Sequence, residues 1–324
     1  MSGQGTLLQQ RAGQAISSLL LPLQAVLEDP EVTEVMVNGP DQIWMEQGGR
    51  LQQLALHWPA GTLAALALLL ASQTPGARLA QQHTLEAAWQ CWRVTVVLPP
   101  VSRDSACLCL RRHRPVAPAL AQWQARPAPS APASAVPGSA GDVLQQAVVD
   151  GSNILVSGST GAGKTTLLAS LLAAVPATER VLTLEDTAEL PRTCAHQVRL
   201  LSGAGHDLRG LVRLALRLRP DRLVVGEVRG GEAFDLLQAM ATGHRGCMGT
   251  VHAADPAGAL ARLEQLILTV GLDWPHAAVQ AQLAQSLQLL VHVHRDTAGR
   301  AISTVQRLEG IVAGRYVLRP VVLR

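Results

Sequence analysis

The sequence predicts an α/β protein in two parts. Residues 142–324 read as a domain built on a mainly parallel sheet covered on both faces, and residues 1–114 as a smaller N-terminal α+β domain. Three observations carry this. From Asp142 onward, short apolar runs alternate with Leu- and Ala-rich helical stretches, the succession a buried parallel sheet requires. One of those runs leads directly into a glycine-rich loop and a helix. Between the two parts, residues 115–141 turn to Pro, Ala and Ser, as in Arg126 to Pro137. That composition buries too little apolar surface to order itself and reads as a linker; an irregular loop packed on one domain is the other reading.

In the first part, Leu7 to Leu27 is Leu-, Gln- and Ala-rich and predicts helix, with a kink at Pro22 and a stop at Asp29-Pro30. Val32 to Val37 and Gln42 to Glu46 predict strands on either side of the turn-forming Asn38-Gly39-Pro40-Asp41. Thr62 to Ser72 predicts a buried helix. Ala88 to Leu98 and Ala106 to Arg111 predict two strands around the Pro99-Pro100 break.

In the second part, Asn153 to Ser157 predicts the strand before the glycine loop and Lys164 to Ala174 the helix after it. Arg180 to Leu184, Arg222 to Val225 and Met248 to His252 predict three more buried strands. Leu289 to Arg295, Ala301 to Val312 and Arg315 to Val322 predict a closing meander.

With 324 residues and 48% hydrophobic content, the chain can fill two cores. It has one Phe, one Tyr and six Trp, so Leu, Val, Ile and Ala must build them. A net charge of +3 gives no general case for nucleic acid, and no direct nucleic acid contact is expected. The longest apolar run, Leu63 to Ala71, is too short to span a bilayer. Met1 to Gln10 lacks the basic start and apolar block of a secretory signal. Five cysteines without a C-x-x-C pair suit a reduced, cytoplasmic chain.

Of 27 basic residues only one is lysine, Lys164, and it lies in Gly158-Ser159-Thr160-Gly161-Ala162-Gly163-Lys164-Thr165-Thr166. This fits the phosphate-cradling pattern G-x-x-x-x-G-K-[ST]. A compact ammonium on a flexible stem can sit between β- and γ-phosphate oxygens, where the planar fork of arginine is a poor substitute. The glycines let the backbone approach, its N–H groups and the helix N-terminus face the anion, and the Thr165 hydroxyl is the expected Mg²⁺ ligand. Three further clusters follow. Leu184 to Glu189 puts Glu185 and Glu189 just past a strand end, where ligands of open α/β sheets bind; Glu185 is the choice for activating water, with Glu189 in support. Leu223 to Glu232 ends an apolar strand in Gly226-Glu227, with Glu227 as second anchor for the metal. Thr242 to Ala253 brings His244 and His252, placed to sense a γ-phosphate or to pass strain to a neighbouring subunit, against the commoner structural role of a histidine beside a strand.

Together these residues resemble the secretion-superfamily ATPases that drive type II and type IV secretion, pilus assembly and conjugation. Gly158 to Thr165 resembles the family's Walker A, Glu185 to Leu190 its Asp box, Arg219 to Arg229 its atypical Walker B with Gly before Glu, and Thr242 to His252 its His box. Asp29 to Pro40, Arg93, Leu98 to Val101 and the strand ending at Arg111 resemble the N-terminal domain of the tight-adherence pilus and conjugative-transfer branch. The resemblance implies a RecA-like C-terminal domain and a homohexameric ring on the cytoplasmic side of the inner membrane. It implies ATP and Mg²⁺ at subunit interfaces, with the N-terminal domain closing over the nucleotide to push an integral inner-membrane platform protein. It also implies that Arg93 and Arg111 turn toward phosphate, and that His244 joins the nucleotide-binding residues and His252 the catalytic ones. The expected function is an ATP-hydrolysing motor for pilus assembly or type II/IV secretion. A conjugative DNA-transfer ATPase and a nucleotide-gated switch with negligible hydrolysis are the alternatives. A GTPase is disfavoured, because the guanine-reading N-K-x-D motif needs a second lysine.

Weaker signals point elsewhere. Arg209, Arg213 and Arg217 share a helical face, read as a solvated basic face rather than a contact with acids or a nucleotide. His292 and His294 share a strand side but lack a third metal ligand in reach. Cys107 and Cys109, also on one strand face, read as buried thiols.

Overall fold

A computed structural model describes residues 3–59, 61–74, 77–112, 117–126, 140–203, 205–271 and 273–321. The chain divides into two compact units, Met1–Arg114 and Pro115–Arg324.

The first unit opens with α1 (Gly3–Leu19), breaks into a 3₁₀ turn containing Pro22, and resumes as α2 (Gln24–Glu28). Proline cannot donate the i→i−4 bond, so the kink falls where the sequence places it. Then come β1 (Val32–Gly39), β2 (Gln42–Gln47), β3 (Arg50–Leu54), α3 (Thr62–Gln73), α4 (Leu79–Gln82), β4 (Thr84–Trp89), β5 (Trp92–Val97) and β6 (Cys107–Arg112). The sheet is antiparallel in the order β3-β2-β1-β6-β5-β4. Strand alternation sends Val35, Val37, Val94, Val96, Leu108 and Leu110 into a core shared with Ile16, Leu66 and Leu70. The same alternation leaves Cys107 and Cys109 half-buried on the opposite face, not in the core.

Two sequence expectations need correction here. The run Ala88 to Leu98 is not one strand: it folds back between Trp89 and Trp92, which pair across a two-residue turn with Gln90 at φ +51°. Glutamine gives no turn signal, so the hairpin is hidden. The strand β3 was not expected either, because as an edge strand it is almost wholly exposed and lacks an apolar pattern.

The second unit contains α5 (Ala140–Val149), β7 (Ile154–Gly158), α6 (Lys164–Ala173), β8 (Val181–Glu185), β9 (Gln197–Leu201), α7 (Leu208–Ala215), β10 (Arg222–Val225) and α8 (Glu232–Ala241). These are followed by β11 (Met248–His252), α9 (Pro256–Leu268), α10 (His276–Ser286), β12 (Leu289–Asp296), β13 (Gly299–Val312) and β14 (Arg315–Pro320). Its sheet runs β14-β13-β12-β7-β11-β10-β8-β9. The six strands from β12 to β9 are parallel; β13 and β14 return antiparallel. Buried side chains of α5 and α6 fill one face and those of α7 to α10 the other. The fold is thus the α/β class expected, with a mostly parallel sheet closed by a meander.

The stretch read as a linker does not behave as one throughout. Leu120 and Trp123 are buried against α5 and α6, and Trp123 Nε1 donates to Ser170 Oγ at 3.0 Å. Gln124 and Arg126 exchange backbone hydrogen bonds with Ile302 of β13. The two large apolar side chains supply the anchor that the surrounding Pro and Ala cannot. Residues 140–141 already belong to α5; residues 127–139 lie outside the described residues.

Candidate nucleotide site

The site lies beyond the carboxyl ends of the parallel strands, where β7 passes through the glycine loop into α6. Two glycines are required by what lies behind them. A Cβ on Gly158 would stand 2.5 Å from the Val293 carbonyl oxygen of β12, and Gly163, at φ +103°, has the stem of Arg300 against it. Lys164 is buried at the first turn of α6, and its Nζ donates to Ser159 O at 2.9 Å.

The register that pairs His252 of β11 with Gly158 of β7 brings the His252 ring to the lysine, whose Nζ lies 3.2 Å from Nδ1 and 3.4 Å from Nε2, beside the ring and not in line with one nitrogen. His252 Nε2 also lies 2.8 Å from Glu227 Oε1. The result is a contact chain Lys164–His252–Glu227 in which the histidine touches both charged groups. Thr165 follows Lys164 in the first turn of α6, half-buried.

Glu185 sits deeper, only 3% exposed. Its Oε1 accepts from the backbone N–H of Glu189 at 2.9 Å and Leu190 at 2.7 Å, while Oε2 is buried without a hydrogen-bond partner. Burial pushes this carboxyl up to about 7, against the two amide bonds, which pull it down. Gly226 makes the room: a Cβ there would lie 3.0 Å from Glu185 Cγ. Thr250 Oγ1 donates to Gly226 O at 2.7 Å and fixes the end of β10. Beside Glu185, Asp186 accepts from Ser202 Oγ at 2.7 Å and pairs with Arg229, so the loops after β8 and β10 are tied together.

The donor set suits a hard cation. A hydroxyl from Thr165 and a carboxylate from Glu227 are oxygen ligands of the kind Mg²⁺ takes when phosphates and water complete its shell. Among the described residues no group of three or more His, Cys, Asp or Glu could hold a metal ion, which a Mg²⁺ shared with phosphates does not need.

A family model described as type II/IV secretion system protein matches residues 119–313. The chain belongs to this family of secretion ATPases. A candidate conjugal transfer protein of Mycobacterium tuberculosis is 39% identical over 321 residues, covering 90% of this chain and 85% of that one. The conjugal transfer protein TrbB of Rhizobium radiobacter is 31% identical over 302 residues, covering 91% and 89%. Among solved structures, the pilus retraction motor PilT with bound ADP matches at a TM-score of 0.66 and 20% identity, over 91% of this chain and 83% of that one; this is a likeness of fold.

Seen as a secretion ATPase, the chain places several expected residues differently. His244 precedes β11 and its Nδ1 lies 3.2 Å from Ala239 O at the end of α8. It therefore stands at the opposite end of the strand from His252, and a nucleotide on the loop of the same chain does not reach it. On the basic helical face Arg213 and Arg217 are exposed, as read, but Arg209 and Arg213 also grip an acid: both pair with Asp235 of α8, each at 2.7 Å, because Asp235 in the first turn of α8 faces α7. His292 bonds Ser157 Oγ through Nδ1 at 2.9 Å and His294 pairs with Asp296, so the two do not converge. In the first unit, Arg93 and Arg111 are register partners on the open sheet face; Arg93 pairs with Glu86 at 3.0 Å and Arg111 with Glu34 at 3.5 Å. Sequence reasoning missed Arg300, whose Nη1 donates to Thr166 Oγ1 at 3.3 Å. Only the strand order, which sets the β12–β13 hairpin beside β7, reveals it.

Among the described residues no helix is long and apolar enough to cross a membrane.

Proposed function

We propose that this secretion ATPase is a Mg²⁺-dependent ATP-hydrolysing motor working as a homohexameric ring, held peripherally at the cytoplasmic face of the inner membrane against an integral platform protein. The observation that carries the reading is the chain Lys164–His252–Glu227 set on a strand–glycine loop–helix unit. Lys164 and the loop amides from Ser159 to Thr166 bind the β- and γ-phosphates. Thr165 and Glu227 would hold Mg²⁺, which supplies neutralisation of the charge on the transferring phosphoryl group. His252 joins the phosphate-binding lysine to Glu227 and so couples occupancy of the loop to the orientation of that carboxylate. Glu185, with a second oxygen unpartnered and an affinity for protons poised near neutrality, takes the proton from the attacking water. Glu189 steadies the loop that caps it. Arg93 and Arg111, adjacent on one sheet face, are the cations proposed to meet nucleotide phosphates from outside the loop.

For the exported substrate, the relatives named for conjugal transfer favour a type IV system of that class, with the motor acting on the envelope machinery and not on DNA directly. Pilus assembly is the other substrate class. The test is Glu227→Gln in the assembled protein. It keeps an oxygen acceptor for His252 but loses the charge, so ATP still binds and turnover falls at least a hundredfold. Wild-type turnover in this variant overturns the assignment, and tight ATP binding with negligible wild-type hydrolysis points instead to a nucleotide-gated switch.

A further inference from the structure

Arg300 lies at the start of β13, across the hairpin from Arg295, its register partner on β12. Its stem runs over the glycine loop: a Cβ on Gly163 would come within 2.7 Å of Arg300 Cδ. Its Nη1 reaches Thr166 Oγ1 at 3.3 Å, in the first turn of the helix that receives the phosphates. The hairpin holding it is fixed from two sides. Arg126 donates through Nη2 to Asp296 Oδ1 and to Gly299 O, each at 3.0 Å, and His294 Nε2 lies 3.3 Å from Asp296 Oδ2. Arg126 is itself paired to β13 through its backbone N–H to Ile302 O. A residue so placed is not a loose surface cation.

Its position in the sheet decides which part of a ligand it meets. Strand order puts β11, β10 and β8, with His252, Glu227 and Glu185, on one side of β7, and β12 and β13 on the other. The groups that act on the terminal phosphate therefore lie on the β11 side. A nucleotide whose β- and γ-phosphates occupy the loop extends its α-phosphate and nucleoside away from those groups, toward the β12–β13 hairpin. There Thr166 and Arg300 face it together.

We propose that Arg300 is a nucleotide-binding residue that clamps the α-phosphate end of a nucleoside di- or triphosphate on the glycine loop. It takes no part in hydrolysis. A guanidinium fork matches non-bridging phosphate oxygens in two directions, and the Arg300 head group already reaches a hydroxyl on the helix that receives the phosphates, over a stem packed on Gly163. The proposal rests on the nucleotide site described above, and it adds to that site a residue that responds equally to substrate and product.

The test is calorimetric titration of the full chain, with Mg²⁺ present, using ADP and separately a non-hydrolysable ATP analogue, for wild type, Arg300→Gln and Arg300→Lys. The expected result is weakening of both ligands by the same factor in R300Q, about tenfold or more as for loss of a charged hydrogen bond. R300K, which keeps stem and charge but not the fork, is expected to fall between. KM for ATP rises by a similar factor while kcat stays within about twofold of wild type. Unchanged affinity in R300K and R300Q overturns the proposal, as does a loss confined to the triphosphate analogue, which would move Arg300 to the γ-phosphate. Should R300Q fail to fold, R300K alone decides, since wild-type affinity there rejects the clamp. Wild type that binds neither ligand is a different failure: it removes the nucleotide site itself.

Discussion

Lys164 Nζ and His252 Nδ1 stand 3.2 Å apart, across the register that pairs Gly158 of β7 with His252 of β11. The lysine is thus held by a neighbouring strand as well as by its own loop, and His252 carries the connection on to Glu227. Substituting Lys164 by Ala removes the buried ammonium. ATP affinity is expected to fall by two orders of magnitude or more, with little change in thermal stability in the absence of nucleotide. Calorimetry and thermal unfolding read the two effects; retained affinity would exclude the loop as the phosphate grip.

His252→Ala breaks the same chain at its middle. Binding, which depends on the lysine and the loop amides, is expected to change less than threefold, while kcat falls at least tenfold because Glu227 loses its partner. An equal loss in both would make His252 a binding residue instead.

Glu185 sets a pH dependence. Its carboxyl is raised from an ordinary value of 4.5 to about 7, so between those limits the folded chain keeps a proton that the unfolded chain releases. Its contribution is complete below pH 4.5 and is lost as pH rises through 7, a change of about 3 kcal/mol at most. Glu185→Gln keeps an oxygen for the Glu189 and Leu190 amides and does not titrate. Chemical unfolding at pH 5 and pH 8 should show wild type losing ground to the variant at the higher pH. Parallel profiles would contradict the buried, proton-poised carboxyl. A rising limb of kcat near pH 7 that disappears in E185Q is the matching kinetic signature.

Trp123 tests whether the proline-rich stretch is structural. Trp123→Ala should destabilise the second unit by about 3–5 kcal/mol, the cost of emptying a buried indole site. Trp123→Phe, which loses the bond to Ser170 and part of the indole volume but keeps an aromatic ring, should cost less, about 1–3 kcal/mol. No effect from either would return residues 117–126 to the status of a linker.

What the sequence made legible follows from how local each signal is. The spans of β10 and β11 came out as read, because a buried parallel strand is a continuous apolar run whatever surrounds it. The glycine loop was legible for the same reason: its strand, turn and helix are contiguous. The edge strands β3 and β9 were not, since one is exposed and the other half-exposed, and neither has to be apolar. The turn at Gln90 was invisible because its positive φ is imposed by the Trp89–Trp92 pairing and not by a turn-forming residue. Arg300 and the Asp186–Arg229 pair depend on which strands become neighbours, a property of the whole sheet that no short motif encodes.

The account is tested most directly by steady-state phosphate release from the assembled wild-type protein, with Mg²⁺-ATP, set beside Lys164→Ala and Glu227→Gln. It predicts turnover that rises with assembly and falls at least a hundredfold in both variants, though only the first loses the nucleotide. Wild-type protein that holds ATP without releasing phosphate, or a Glu227→Gln ring that turns over like wild type, would contradict it.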